Sequence, residues 1–215
     1  MTGSPGGIVL LPAIAGVNDY IRGVRSRLEQ AGWKVETVNY FGGRAAPDLS
    51  TPQAIRDAVD GVNDAQVLQQ AEDAARALRA RGAGPVGALG YCIGGGYALL
   101  AGCEVDGIAA VANYYGGLRY ASLSANKPAS PLDRAATLRA PMIAHYGSAD
   151  RFVPPADVAA LEAVLDHNQC SYELFRYAGA PHAFDEEFRP AYRPVASAEA
   201  WTRTLTFLRW YLRSP

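Results

Sequence analysis

The chain has 215 residues, 49% of them hydrophobic and 19% charged, and its 20 basic and 21 acidic side chains leave a formal charge of −1. That composition supplies a core and excludes a disordered chain, and with no block of basic residues it argues against a nucleic-acid partner. The three cysteines, Cys92, Cys103 and Cys170, show neither the spacing of a zinc site nor that of a disulfide framework, and reduced thiols fit a cytoplasmic protein.

The longest apolar run, residues 6–17, is interrupted by Pro12 and is too short to span a bilayer. No basic segment ahead of it marks a secretory signal. The length suits one α/β domain over residues 1–215.

Read in order, the chain alternates between strand and helix patterns. A short apolar run at 8–11 has the look of a strand buried on both faces. Asn18 and Asp19 can cap a helix with Ile21, Val24 and Leu28 on one side, ending near Gly32. Residues 35–40 form the next strand pattern, and the Gly/Pro-rich stretch 42–52 is a loop. A helix begins at Asp64 and ends around Gly82, then come a strand at 85–89, a helix from about Cys92 and a strand at 108–114.

Residues 116–134 are irregular. A strand at 142–146, a helix at 156–167, a strand at 172–177 and a last helix from about Ser197 to Leu212 complete the chain, the last with Trp201, Leu205, Leu208 and Leu212 on its expected apolar face. Such alternation implies one mostly parallel sheet with helices on both faces. In sheets of that kind, sites lie beyond the carboxyl ends of the strands.

After the strand at 85–89 comes Gly90-Tyr91-Cys92-Ile93-Gly94-Gly95-Gly96, a G-x-C-x-G turn from strand to helix. Such a turn aims the sulfur at a helix N-terminus, whose partial positive charge favours thiolate. A glycine-rich turn can also cradle phosphate, but this spacing is neither G-x-G-x-x-G nor a P-loop. Inert burial is the common fate of cysteine and is the reading for Cys103 and Cys170.

A thiol nucleophile needs a base, and the base an orienting acid. Asp150 follows the strand at 142–146, and His182 follows the strand at 172–177. The order nucleophile, acid, histidine suits the fold. His145 lies inside a strand pattern and is expected to be buried, and His167 ends a helix, where it would cap carbonyls.

These stretches together resemble the dienelactone hydrolase family, the cysteine-using branch of the α/β-hydrolases. The matching segments are Gly90-Tyr91-Cys92-Ile93-Gly94-Gly95, Asn113-Tyr114-Tyr115-Gly116, Gly147-Ser148-Ala149-Asp150-Arg151-Phe152-Val153-Pro154 and Pro181-His182-Ala183-Phe184-Asp185, the last continuing through Arg189-Pro190-Ala191-Tyr192 to Ala200-Trp201-Thr202-Arg203-Thr204-Leu205.

The resemblance implies an α/β-hydrolase fold and a hydrolase of small esters or lactones. Its roles would be Cys92 as nucleophile, His182 as base, Asp150 as orienter, and the backbone N–H groups of Ile14 and Ile93 as oxyanion hole. It implies no metal and no organic cofactor, and a small-molecule partner only. The chain departs from the family's pattern at Ala13, where a glutamate is usual, and at Glu186, where an arginine is usual. It begins almost at its first central strand, so the family's N-terminal antiparallel strands are expected to be absent.

The side chains expected to meet substrate are Tyr40, Tyr115, Phe184 and Glu186, with neutral esters or lactones preferred unless Arg44, Arg151 or Arg189 restores an anion site. A charged first edge strand, with Lys34 and Glu36, predicts a monomer or weak homodimer. An acyltransferase or thioesterase on the same residues, or a ligand-binding member without activity, are the alternative readings.

Overall fold

The computed structural model describes residues 5–43 and 47–213. Its sheet has six strands in the order β2-β1-β3-β4-β5-β6, namely β1 (Gly7–Leu11), β2 (Lys34–Thr37), β3 (Val86–Tyr91), β4 (Ile108–Tyr114), β5 (Met142–Gly147) and β6 (Tyr172–Tyr177). All five pairings among the described residues are parallel. The helices are α1 (Asp19–Gln30), α2 (Pro52–Gly61), α3 (Asp64–Ala80), α4 (Ile93–Glu104), α5 (Pro131–Arg134), α6 (Pro155–His167) and α7 (Pro194–Tyr211).

Because strand side chains alternate between faces, the core divides into two. Val9, Leu11, Val86, Ala88, Val111 and Met142 meet α3, α4 and α6 on one face. Ile8, Leu10, Leu89, Ala110, Ala112 and Ile143 meet α1 and α7 on the other. Both faces of every central strand are therefore buried, and this is why those strands read as continuous apolar runs. Among the described residues no helix is long and apolar enough to cross a membrane.

Caps set several helix starts as their residue types dictate. Asn18 accepts the N–H of Ile21 at 3.0 Å, and Asn63 accepts that of Gln66 at 3.0 Å. At the end of α6 it is Asn168, not His167, whose side chain caps the carbonyl of Val164, at 2.8 Å.

Three expectations change. The second strand is shorter than residues 35–40: β1 ends at Leu11, so after the Val38 N–H reaches Leu10 O at 2.9 Å there is no partner to extend the ladder. Helix α2 occupies part of what read as unassigned chain, started by Thr51 accepting from the Ala54 N–H at 3.1 Å and by Pro52 in its first turn. The buried face of α7 holds Ser197, Ala200, Thr204, Phe207 and Leu208 rather than Trp201 and Leu205.

That rotation of α7 has a cause. The hydroxyl of Thr204 bonds the buried Tyr114 hydroxyl at 2.9 Å and His145 Nε2 at 2.8 Å, so a polar residue is satisfied in the core. Trp201 lies half-buried under the Arg27 guanidinium, 4.2 Å from its ring centroid. Within the loop expected at 42–52, residues 44–46 lie outside the described residues, and Arg44 with them.

Candidate active site

Cys92 sits between β3 and α4 with φ 57° and ψ −124°, a left-handed conformation that side chains rarely adopt. The turn survives because its neighbours are glycines. A Cβ on Gly90 would overlap the carbonyl of Gly94, and one on Gly94 would overlap the carbonyl oxygens of Leu11 and Pro12. The helix start is thus pressed against the end of β1, and the Cys92 N–H is held by Tyr114 O at 3.0 Å.

Asp150 follows β5 in a tight loop. One of its carboxylate oxygens accepts the N–H groups of Phe152 at 2.7 Å and Val153 at 3.0 Å. The other lies 2.8 Å from His182 Nδ1. Two backbone donors orient the carboxylate, and the carboxylate orients the imidazole.

On its other side His182 faces the cavity that Cys92 also lines, close enough for its charge to act on the Cys92 thiol. The structure therefore brings Cys92 and the hydrogen-bonded His182–Asp150 pair to one cavity. Burial alone would push the Cys92 thiol up, but the charge of His182, with the Ile93 N–H, outweighs it and the thiol lies below its usual range; Glu186 opposes them. Burial likewise works against charge on His182, yet negative charge at Cys92 and the hydrogen bond to Asp150 raise it to about 10. Both shifts favour transfer of the proton from Cys92 to His182.

The loop carrying His182 is braced from behind. Ala183 has φ 59° and Tyr115 φ 41°, two further left-handed residues close to the site. The Tyr115 ring meets His182 edge-on at 5.1 Å and Phe184 at 5.3 Å. Asp185 is buried and accepts hydrogen bonds from the Tyr20 hydroxyl and, at 2.5 Å, from that of Ser197, which ties the loop to α1 and α7. Burial pushes the Asp185 carboxyl up, opposed by Ser197, Tyr20 and Arg27. This brace escaped the sequence reading, because nothing local to Asp185 names partners 12 and 165 residues away.

Cys92 and His182 open onto a cavity of about 390 Å³. Its apolar wall includes Ala13, Ile14, Ile93, Ile55 and Val59, the last two from α2. Tyr120, Arg119, Glu186 and Arg189 contribute polar groups.

Of the side chains expected to meet substrate, Glu186 reaches the cavity, whereas Tyr40, Tyr115 and Phe184 are not in its lining. The Tyr40 hydroxyl turns inward to Pro12 O at 2.8 Å, and Tyr115 and Phe184 are fully buried against each other, with Tyr115 also meeting His182. Aromatic residues beside a strand end have two places to go, and here the brace claims them. Of the three candidate arginines, Arg189 lines the cavity and Arg151 does not.

Burial pushes the Glu186 carboxyl up, with Arg189 and His182 pulling it back. His145, as expected, is buried inside β5 and away from the cavity, bonded to Tyr177 and Thr204. Among the described residues no group of three or more His, Cys, Asp or Glu side chains is arranged to hold a metal ion.

A parallel sheet of this order, with a strand–turn–helix elbow bearing a cysteine and an Asp–His pair on the loops after β5 and β6, defines an α/β-hydrolase. The dienelactone hydrolase family model matches residues 3–212, and the chain belongs to that family.

It is 40% identical to a 2-oxo-3-(5-oxofuran-2-ylidene)propanoate lactonase assigned in a Bradyrhizobium species, over 99% of this chain and 86% of that one. It is 28% identical to an assigned carboxymethylenebutenolidase of Escherichia coli K12, over 95% of this chain and 76% of that one. A solved structure described as a dienelactone hydrolase from Klebsiella pneumoniae superposes with a TM-score of 0.88 at 27% identity, covering 98% of this chain and 89% of that one. The chain is accordingly a carboxylic ester hydrolase.

Proposed function

We propose that this hydrolase opens a small lactone, or cleaves a small ester, through a thioester on Cys92. The observation that carries the reading is the hydrogen-bonded Asp150–His182 pair set on a cavity that Cys92 also lines. The 40% identical relative, assigned as a lactonase, favours a lactone.

In this mechanism the Cys92 thiolate attacks the carbonyl carbon, and the carbonyl π electrons move to oxygen. The N–H groups of Ile93 and Ile14 stabilise the oxyanion; removing such a donor elsewhere costs ~3 kcal/mol of transition-state stabilisation. Collapse of the intermediate breaks the C–O bond, and the leaving oxygen takes the proton held by His182. In a lactone that oxygen stays tethered to the acyl group. Neutral His182 then takes a proton from water, the hydroxide attacks the thioester, and the thiolate leaves as the acid product forms. Asp150 holds the imidazole in the orientation both steps need.

The reading is tested by assaying a panel of aryl esters and lactones with the wild type and Cys92→Ala, with rapid-quench mass spectrometry of the intact protein. An acyl adduct on Cys92 and a loss of kcat on the order of 10⁴-fold or more in the variant are expected. Substantial hydrolysis by Cys92→Ala would overturn it.

A further inference from the structure

Lys127 is completely buried, a rare setting for a lysine, and it lies between two segments that wall the cavity. Its ammonium donates to Asp64 Oδ1 at 2.9 Å and to the Tyr97 hydroxyl, and stands 4.7 Å from the ring centroid of Tyr120. The same Asp64 oxygen accepts from the hydroxyls of Tyr97 at 2.8 Å and Tyr120 at 3.0 Å. One carboxylate oxygen of α3 thus gathers three donors, one from α4 and two from the β4–α5 loop.

Around this centre the loop is stitched to the α2–α3 junction. Asn126 O accepts the Asp64 N–H at 3.0 Å, and the Asn126 side chain meets Asn63 at 2.9 Å and Asp60 O at 3.3 Å. Lys127 and Ser124 exchange backbone hydrogen bonds, which closes the loop on itself. The two tied segments are those that bring Ile55 and Val59 on one side, and Gly117 and Tyr120 on the other, to the cavity. A buried ion pair is a weak source of stability compared with apolar residues of the same volume, so its geometry is what calls for an explanation.

We propose that the Lys127–Asp64 pair is a clasp that fixes the separation of α2 and the β4–α5 loop, and thereby sets the size of ester or lactone the cavity admits. This rests on the cavity beside Cys92 being the substrate site. Lys127 touches no substrate; it is a positioning residue acting through Tyr120 and the loop that carries it.

The test removes both charges together, since removing one would strand the other in the core. Asp64→Asn/Lys127→Met and Tyr120→Phe are assayed beside the wild type on p-nitrophenyl esters of acyl length two to eight. The rate of Cys92 alkylation by iodoacetamide is followed against pH in each. The expected result for the double variant is a rise of about tenfold in the long-to-short ratio of kcat/KM, carried mainly by KM, equivalent to ~1.4 kcal/mol. The alkylation profile should not move.

Tyr120→Phe, which keeps the ion pair but loses one tether, should raise the ratio by about threefold, equivalent to ~0.6 kcal/mol, and it decides the matter if the double variant does not fold. An unchanged ratio in a folded variant would make the clasp purely structural and overturn the proposal, as would an altered alkylation profile, which would place its action on the thiol. Should Cys92→Ala still hydrolyse these esters, the functional reading fails instead, and the two failures are distinguishable.

Discussion

Arg189 Nε lies 3.3 Å from Glu186 Oε2, and both side chains face the cavity. The pair places opposite charges at the cavity, and of the arginines the sequence offered for an anion site Arg189 is the one among the described residues that reaches it. Glu186 is mostly buried and Arg189 is 58% exposed, so the arginine can leave its partner for an incoming anion at modest cost.

The consequence is a prediction about substrate charge. Glu186→Gln frees Arg189 and removes a carboxylate that would repel an anion, so the ratio of kcat/KM for a carboxylate-bearing lactone to that for a matched neutral one should rise by roughly three- to tenfold, ~1 kcal/mol for a partly exposed pair. Arg189→Gln should move the ratio the other way. Steady-state kinetics on the matched pair decide it, and equal ratios in all three proteins would remove both residues from substrate selection.

Thiol chemistry supplies a second test. With the Cys92 thiol held below its usual range by His182 and the Ile93 N–H, alkylation by iodoacetamide should already be near its plateau at neutral pH. In His182→Ala the burial penalty remains while its main opponent is gone, so the rate should climb with pH through a midpoint at or above ~8.5. A wild-type profile with an ordinary thiol midpoint would show that the thiolate–imidazolium pair is not the resting state.

The elbow makes a third prediction. Gly94 lies against the carbonyls of Leu11 and Pro12, with no room for a methyl group. Gly94→Ala must push α4 away from β1, at a cost of about 1–3 kcal/mol or more for overpacking a close-packed site. Calorimetry should show a lowered Tm, and the displaced Ile93 N–H should lower kcat in whatever protein still folds. Wild-type Tm and kcat together would mean that the elbow tolerates what its geometry forbids.

His145 sets a pH limit on stability. Its burial, with Arg203 nearby, pushes it down to about 3. A base whose folded value lies below its unfolded value binds fewer protons when folded, so the stability it confers is fully present above ~6.5 and lost as pH falls toward about 3. The slope contributed by one such group has a ceiling of ~1.4 kcal/mol per pH unit. Urea titrations between pH 7 and 4 should show this loss, and His145→Gln should flatten it while lowering stability at pH 7 by the hydrogen bonds it disturbs.

For assembly, a monomer or weak homodimer remains the expectation. The β2 edge is only four residues long, and Glu36 and Lys34 on it are engaged by Arg81. Sedimentation at micromolar concentration should give a mass near 22.9 kDa; a tight dimer would show that another surface carries the association.

What the sequence determined by itself was whatever depends on local chemistry and order along the chain. Apolar runs bounded by turns give buried strands, glycines at 90 and 94 permit an elbow that only small residues allow, and residues following successive parallel strands must converge at one end of the sheet. Cys92, Asp150 and His182 follow β3, β5 and β6 at one end of the sheet for that reason. Helix α2 left a local signal too, in Thr51 and Pro52, and the loop reading passed over it.

Tertiary structure decided what depends on partners far apart in sequence. Tyr40, Tyr115 and Phe184 could have faced substrate or core, and the choice was made by Pro12 O, by His182 and by the space between them. The turn of α7 followed from Thr204 finding Tyr114 and His145 across the sheet. Lys127 lies in a stretch that read only as irregular, and nothing local to it names Asp64, 63 residues away, as its partner. A buried polar group is stable only when paired, and in this chain those pairings are made by elements that meet only once the sheet has formed.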